Sequence, residues 1–233
     1  MSREGRARRF ANLPILDPVS SSMTESQRAL WPSMGDVPDD FVLYGGTGLA
    51  LRLGHRRSDD FDFFSAEKFS PTDLLSNLAW LGRATVSRAS PNNLEFVTEA
   101  GVHFAFFGAM RIQCVAEPSR VQENGLVVAS SFDLAGTKAK AILDRSEWKD
   151  YVDLTALLRA DHALPDIVAY ATTIFAPVFE FPAAAFLRSV VYFEEGSAVD
   201  VPTDVRRELE LAVIRAATAP IPTVEPYGAS IRP

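Results

Sequence analysis

Two aspartates, Asp60 and Asp62, stand two residues apart among aromatics in Asp60-Phe-Asp-Phe-Phe64. In an extended strand, residues i and i+2 face the same side, with Cα atoms roughly 6.6 Å apart. Both carboxylates therefore project from one face, while Phe61 and Phe63 turn to the other. Such a pair suits a hard cation. Mg²⁺ takes one or two carboxylates and fills its other positions with water and substrate phosphate oxygens. Two ions roughly 3.5–4 Å apart would clamp the attacking and leaving oxygens of an in-line displacement. By itself, Asp-x-Asp equally describes the solvated face of an edge strand. The flanking aromatics argue for a half-buried strand, where an acid pair without a cation is costly.

Upstream, Gly45-Gly46-Thr47 follows the apolar run Phe41–Tyr44 and precedes the helix formers Leu49–Leu53. Two glycines at a strand-to-helix turn let the backbone approach a ligand and reach positive φ. The amides that follow point out of a helix N-terminus, which favours phosphate, and the Thr47 hydroxyl adds a donor. A plain tight turn is the alternative. Two better-known phosphate motifs are excluded. Leu51 stands where a dinucleotide fingerprint needs its third glycine, and no Gly-Lys-Ser/Thr occurs. A phosphate turn followed closely by a carboxylate pair is what nucleotidyl transfer requires.

A third group is Lys138, Arg145, Lys149, Asp150 and Asp153. Lys138 and Arg145 are two helical turns apart and share a face; Asp150 and Asp153 share another. On spacing alone this also describes a solvent face with ion pairs to Asp144 and Glu147. His55, His103 and His162 show no ligand spacing, although His55 sits beside Arg56 and Arg57, where it could help hold a phosphate. No Gly-x-Ser-x-Gly elbow or Cys/His pairing suggests a covalent nucleophile.

The elements that must position these groups follow from the pattern. Thr24–Trp31 reads as a short helix stopped by Pro32, Phe41–Tyr44 and Asp60–Phe64 as strands, and Thr47–Gly54 as a helix. Pro71–Leu81 reads as a helix with Ser70 as N-cap. Ala84–Arg88, Asn93–Thr98, Val102–Phe107 and Arg111–Val115 read as an antiparallel meander. After Ser130 the chain turns helical: two helices over 133–159 breaking near Ser146, then 166–175, 183–192 and 205–217. The expected class is α+β, a mixed sheet with flanking helices followed by a helical half. The expected organisation is an N-terminal arm with a short helix (1–40), a core (41–130), a helical domain completing a cleft (131–219) and a Pro-rich tail (220–233).

The 233 residues are 47% hydrophobic and 23% charged, an ordinary globular composition. A net charge of −7 excludes a general nucleic-acid binder, although basic clusters stand at Arg3, Arg6, Arg8 and Arg9 and at Arg52, Arg56 and Arg57. One cysteine, Cys114, excludes an internal disulfide and a thiolate metal site, and its apolar surroundings predict burial. No signal-peptide pattern and no run of about 20 apolar residues occurs, so the expectation is a soluble, cytoplasmic protein without membrane contact.

Gly45-Gly46-Thr47, the stretch from Leu51 through Asp60-Phe-Asp62 to Phe64, and Asp133-Leu-Ala-Gly-Thr-Lys138 with Arg145 and Lys149-Asp150-Tyr-Val-Asp153-Leu together resemble the AbiEii/AbiGii toxin family. These are nucleotidyltransferase-like proteins of bacterial toxin–antitoxin and phage-defence systems, within the polymerase-β-like nucleotidyltransferase superfamily. The resemblance runs from about Phe41 to Leu158. Thirteen residues separate Gly46 from Asp60, a spacing the superfamily's signature allows.

The resemblance implies Mg²⁺-dependent transfer of a nucleoside monophosphate from an NTP to an acceptor hydroxyl. The implied acceptor is RNA, such as the 3′ end of a tRNA, and an implied partner is a cognate antitoxin. Gly45, Gly46 and Thr47 would cradle the triphosphate, with Arg52, His55, Arg57 and Ser58 nearby. Asp60 and Asp62 would hold metal. Lys138 would contact the triphosphate, and Arg145, Lys149, Asp150 and Asp153 would complete the site. The superfamily's third carboxylate stands on a later strand, but Val102–Phe107 carries none; Asp150 or Asp153 would take its place, or the base is dispensable. An idle nucleotide- or partner-binding member and a protein-modifying transferase are the alternative outcomes.

Overall fold

The computed structural model describes residues 13–227. The first twelve residues of the expected N-terminal arm, with the arginine cluster, and the end of the Pro-rich tail lie outside the described residues. The chain divides into two compact units. Unit 1 runs to Ile112 and resumes over Glu117–Ser130; unit 2 takes Gln113–Ala116 and Ser131–Tyr227. No helix among the described residues is long and apolar enough to cross a membrane.

Unit 1 is built on a mixed eight-stranded sheet. Its strands are β1 (Ile15–Leu16), β2 (Val42–Tyr44), β3 (Asp60–Phe64), β4 (Thr85–Ser90), β5 (Asn93–Val97), β6 (His103–Phe107), β7 (Ser119–Val121) and β8 (Val127–Val128). They lie in the order β1-β7-β8-β2-β3-β6-β5-β4. Strand β3 runs antiparallel to β2 and parallel to β6. It is therefore central, and its period-two alternation is imposed by neighbours on both sides. Phe61 and Phe63 are fully buried. They stack on Phe104 and Phe106 at 5.0 and 4.7 Å between ring centroids, and Phe96 extends the row. Each such pair adds about 0.5–1.5 kcal/mol beyond the area it buries.

Three helices belong to this unit: α1 (Glu25–Leu30), α2 (Gly45–Leu53) and α3 (Pro71–Asn77). Thr24 and Gln27 form a reciprocal capping box at α1. Ser70 caps α3, as its position before Pro71 predicts. The expected helix to Leu81 is shorter, because Leu78 leaves the helical region (φ −89°, ψ 76°) and only a 3₁₀ turn, Ala79–Leu81, follows.

The meander holds for β4, β5 and β6 but not for its fourth member. Arg111–Val115 is not a strand. Gln113 N–H donates to Ile174 O (2.9 Å) and Val115 N–H to Asp133 Oδ1 (2.8 Å), so helical segments satisfy this backbone instead of a neighbouring strand. Cys114 is buried as expected. Strands β1, β7 and β8 had no sequence signal, being only two or three residues long.

Unit 2 contains α4 (Ser131–Asp144), α5 (Trp148–Arg159), α6 (Leu164–Phe175), α7 (Ala183–Ser189) and α8 (Thr203–Ala216). The break between α4 and α5 falls around Ser146, as expected. The segment after α8 has no regular structure up to Tyr227 and is tied down by Thr173 Oγ1 donating to Val224 O (2.8 Å) and Tyr227 N–H donating to Cys114 O (2.8 Å).

Candidate functional site

In unit 1 the Gly-Gly-Thr turn and the aspartate strand meet directly. Gly45, the first residue of α2, has φ +68°, a conformation that costs any residue with a Cβ. A Cβ there would also overlap Asp62 Oδ2. The carboxylate of Asp62 thus lies against the backbone at the start of α2, which only glycine permits. Register explains the approach: Tyr44, immediately before the turn, pairs with Asp62 across the β2–β3 ladder. Thr47 is buried, and its hydroxyl donates to the Asp60 carbonyl, locking the first turn of α2 onto β3.

A Cβ on Gly46 would stand 2.5 Å from Arg56 Nη2 and 3.1 Å from Ser58 Oγ. The second glycine therefore leaves room for a guanidinium and a hydroxyl to close on the turn. Ser58 is buried, 7% exposed. Asp60 and Asp62 are half-buried on the face of β3 opposite the phenylalanines.

Arg52 of the same cluster is directed at β8. Arg52 donates through Nε to Ala129 O (2.7 Å) and through Nη2 to Val128 O (3.1 Å), bracing the end of β8. His55 is half-buried between α2 and β3, and Arg57 is exposed with its carbonyl accepting from Arg56 Nη1 (2.8 Å). Arg56, one of the three arginines of that cluster, had no signal setting it apart from its neighbours; the side-chain direction that brings it to Gly46 is a property of the turn.

On the sheet, Ala105 of β6 lies directly beside Asp62, and His103 beside Asp60. A methyl group, not a carboxylate, thus stands beside Asp62 on β6. One strand further, Glu95 of β5 pairs with Ala105 and lies on the same face, in an ion pair with Arg88 at 3.4 Å. Among the described residues, no three His, Cys, Asp or Glu side chains gather closely enough to hold a metal by themselves. Asp60 and Asp62 form a two-carboxylate grip, which is what Mg²⁺ with a phosphate ligand requires.

Unit 2 assembles the remaining expected residues within itself. The hairpin of α4 and α5 brings Lys138 Nζ to 2.8 Å from Asp150 Oδ1 and 2.7 Å from Asp153 Oδ2. Lys138 is 6% exposed and both aspartates are 0% exposed. Arg145 lies just beyond the end of α4 instead of within it. It donates through Nε to Asp150 Oδ2 (2.9 Å) and through Nη2 to Asp150 Oδ1 (3.3 Å). Lys149 pairs with Glu147 at 3.3 Å on the surface. Burial pushes the Lys138 pKa down, but Asp153 and Asp150 outweigh it and the net direction is up. Burial likewise pushes the Asp150 carboxyl up, and Lys138 and Arg145 bring it below its ordinary value. Lys138 and Asp150 are thus both held charged.

The family model for the nucleotidyl transferase AbiEii toxin of type IV toxin–antitoxin systems matches residues 28–121. An uncharacterized protein of Aquifex aeolicus is 34% identical over 167 residues, covering 68% of this chain and 76% of its own. The crystal structure of a candidate nucleotidyltransferase from H. pylori superposes with a TM-score of 0.54 at 15% identity, covering 82% of this chain and 92% of its own. That likeness shows the fold. A nucleotidyltransferase toxin of Mycobacterium tuberculosis, MenT4, superposes with a TM-score of 0.42 at 15% identity over 80% of this chain and 91% of its own, too low to carry an argument.

Proposed function

The chain belongs to the AbiEii family of nucleotidyltransferase toxins, and we propose that it moves a nucleoside monophosphate from an NTP to a hydroxyl of RNA, the 3′ end of a tRNA. The observation that carries this reading is the packing of Asp62 against Gly45. It joins a phosphate-binding helix start to a metal-binding carboxylate without an intervening layer.

The amides at the start of α2 lack intrahelical partners and carry the positive end of the helix dipole. They are suited to the β- and γ-phosphates. Thr47, by bonding the Asp60 carbonyl, keeps those amides at a set height over β3. Asp60 and Asp62 would hold Mg²⁺, which when bound supplies neutralisation of charge on the transferring phosphoryl group. The acceptor hydroxyl attacks the α-phosphorus; the new O–P bond forms as the bond to the β-phosphate oxygen breaks. Pyrophosphate leaves and the hydroxyl proton passes to solvent. With Ala105 beside Asp62, no β6 carboxylate takes that proton, and positioning with charge neutralisation carries the reaction. Lys138, Asp150 and Asp153 act in this scheme by fixing the α4–α5 hairpin; a cognate antitoxin and an intracellular setting are part of the same proposal.

The test is transfer of label from each α-labelled NTP to total tRNA with Mg²⁺. Asp60→Asn should lower transfer by about 10²-fold or more. Equal transfer by Asp60→Asn sinks the site assignment. Label on the protein instead of the RNA would replace the acceptor, not the chemistry.

A further inference from the structure

A triphosphate brings several negative charges to a turn that Asp62 already touches. The start of α2 offsets only part of that charge, so a side-chain cation is needed at the phosphates. The geometry of unit 1 discriminates among the arginines available. The guanidinium of Arg52 is directed at the carbonyls of Val128 and Ala129. That of Arg56 is drawn back by its Nη1 bond to the Arg57 carbonyl, and its Nη2 lies over the bare Cα of Gly46.

Ser58 gives an independent indication. Its Oγ stands 3.1 Å from the Cβ position of Gly46 in a residue only 7% exposed. Its N–H donates to Ser22 O at 3.3 Å, which fixes the residue beside the turn. A hydroxyl so placed can donate to a ligand oxygen held over the glycine. The same bare Cα thus has a guanidinium and a hydroxyl within reach, at the N-terminus of a nine-residue helix.

Resting on the nucleotidyltransferase reading above, we infer that Arg56 is the residue that grips the phosphate chain of the NTP, with the Ser58 hydroxyl as second donor. A planar fork binds two phosphate oxygens at once, which an ammonium does not. Glycine at position 46 is then required by the arginine as much as by the turn. Recognition of this kind ignores the base, so the contribution of Arg56 is the same for all four NTPs and for inorganic tripolyphosphate.

Calorimetry with Mg²⁺ tests this, using each NTP, inorganic tripolyphosphate and adenosine as ligands. Arg56→Ala should weaken every triphosphate by about 10- to 100-fold and leave adenosine unchanged. Arg56→Lys should recover part of the loss, and Ser58→Ala should cost less than Arg56→Ala. Arg56→Gln, close in size, serves if the alanine variant does not fold. Gly46→Ala should reproduce the Arg56 loss by displacing the guanidinium with its Cβ. If folded Arg56→Ala or Arg56→Gln binds tripolyphosphate within about twofold of the unmutated chain, the inference is wrong. Loss of label transfer in Asp60→Asn would then still uphold the nucleotidyltransferase reading. If the unmutated chain binds no triphosphate with Mg²⁺, both fall.

Discussion

Replacing Lys138 with methionine should destabilise unit 2 by about 3–5 kcal/mol, the range for removing one partner of a buried ion pair. The figure follows from where the charges are. Lys138 Nζ bonds two fully buried carboxylates at 2.8 and 2.7 Å. Both carboxylates lose the ammonium, and Asp150 keeps its bonds from Arg145. Against the usual 5–15 kcal/mol of a whole domain, this is a large fraction. The methionine itself is not the cause, since its length suits a helix and a core.

The double variant Lys138→Met/Asp153→Leu removes one of the two buried carboxylates that lost the ammonium and should be more stable than Lys138→Met alone, a coupling of about 0.5–3 kcal/mol against additivity. Urea unfolding followed by far-ultraviolet circular dichroism reads this out, because unit 2 holds five of the helices. An unchanged midpoint and slope for Lys138→Met would refute the structural role and release Lys138 for the triphosphate contact that the family resemblance implies. A double variant no better than the single would refute the charge argument. The pH dependence has a definite sign. Asp150 is lowered from 3.8, so its contribution is present above that value and is lost as pH falls through its folded value. Lys138 is raised from 10.5, so its contribution is complete below that value and is lost as pH rises through its folded one. The cluster should therefore stabilise evenly across neutral pH.

Gly45→Ala combines a φ of +68° with overlap on Asp62 Oδ2. It should cost about 1–2 kcal/mol in a thermal melt from the backbone alone and abolish label transfer by displacing the carboxylate. His162 packs edge-on against Phe132 and Tyr170 at 5.2 and 6.0 Å. Burial lowers its pKa from 6.5, more than Asp166 and Asp161 raise it. Its unfolded form takes up a proton first, so stability should fall as pH drops from 6.5 toward the folded value. The urea midpoint should drop from pH 7.5 to 5.5 in the unmutated chain and drop less in His162→Phe; an equal drop in both would make another group responsible.

What the sequence revealed of this site was whatever has a period. Acid–aromatic alternation placed β3 to the residue, because both flanking strands enforce a period of two on it. The apolar run, Gly-Gly and helix formers placed β2 and the start of α2. Spacing along one helix could not show that Lys138 meets Asp150 and Asp153, since that contact is made by a hairpin. The available signal was a lysine inside the Ala- and Leu-rich run of α4, which needs a buried anion. Arg111–Val115 looked like a strand because its apolar content matched one; its hydrogen-bond partners, helix α6, Asp133 and the tail, lie far along the chain. Arg56 was hidden among like neighbours, since a turn assigns side-chain directions without periodicity.

The alternation of β3 also separates two kinds of damage on one five-residue strand. Phe63 is fully buried, stacked on Phe106 and sandwiched in the aromatic row, so Phe63→Ala should cost about 3–5 kcal/mol. Its neighbour Asp62 faces the turn and pairs in register with Tyr44 and Ala105, away from that core. Asp62→Asn changes neither size nor packing and removes one negative charge from beside the phosphate turn. It should leave the melting temperature within a few degrees, since the packed aromatic row is untouched, while label transfer collapses. For residues one position apart to behave this differently, the strand must divide core from site along its length. If Asp62→Asn instead melts with Phe63→Ala, the carboxylate is serving the fold by holding Gly45, and the metal grip would rest on Asp60 alone.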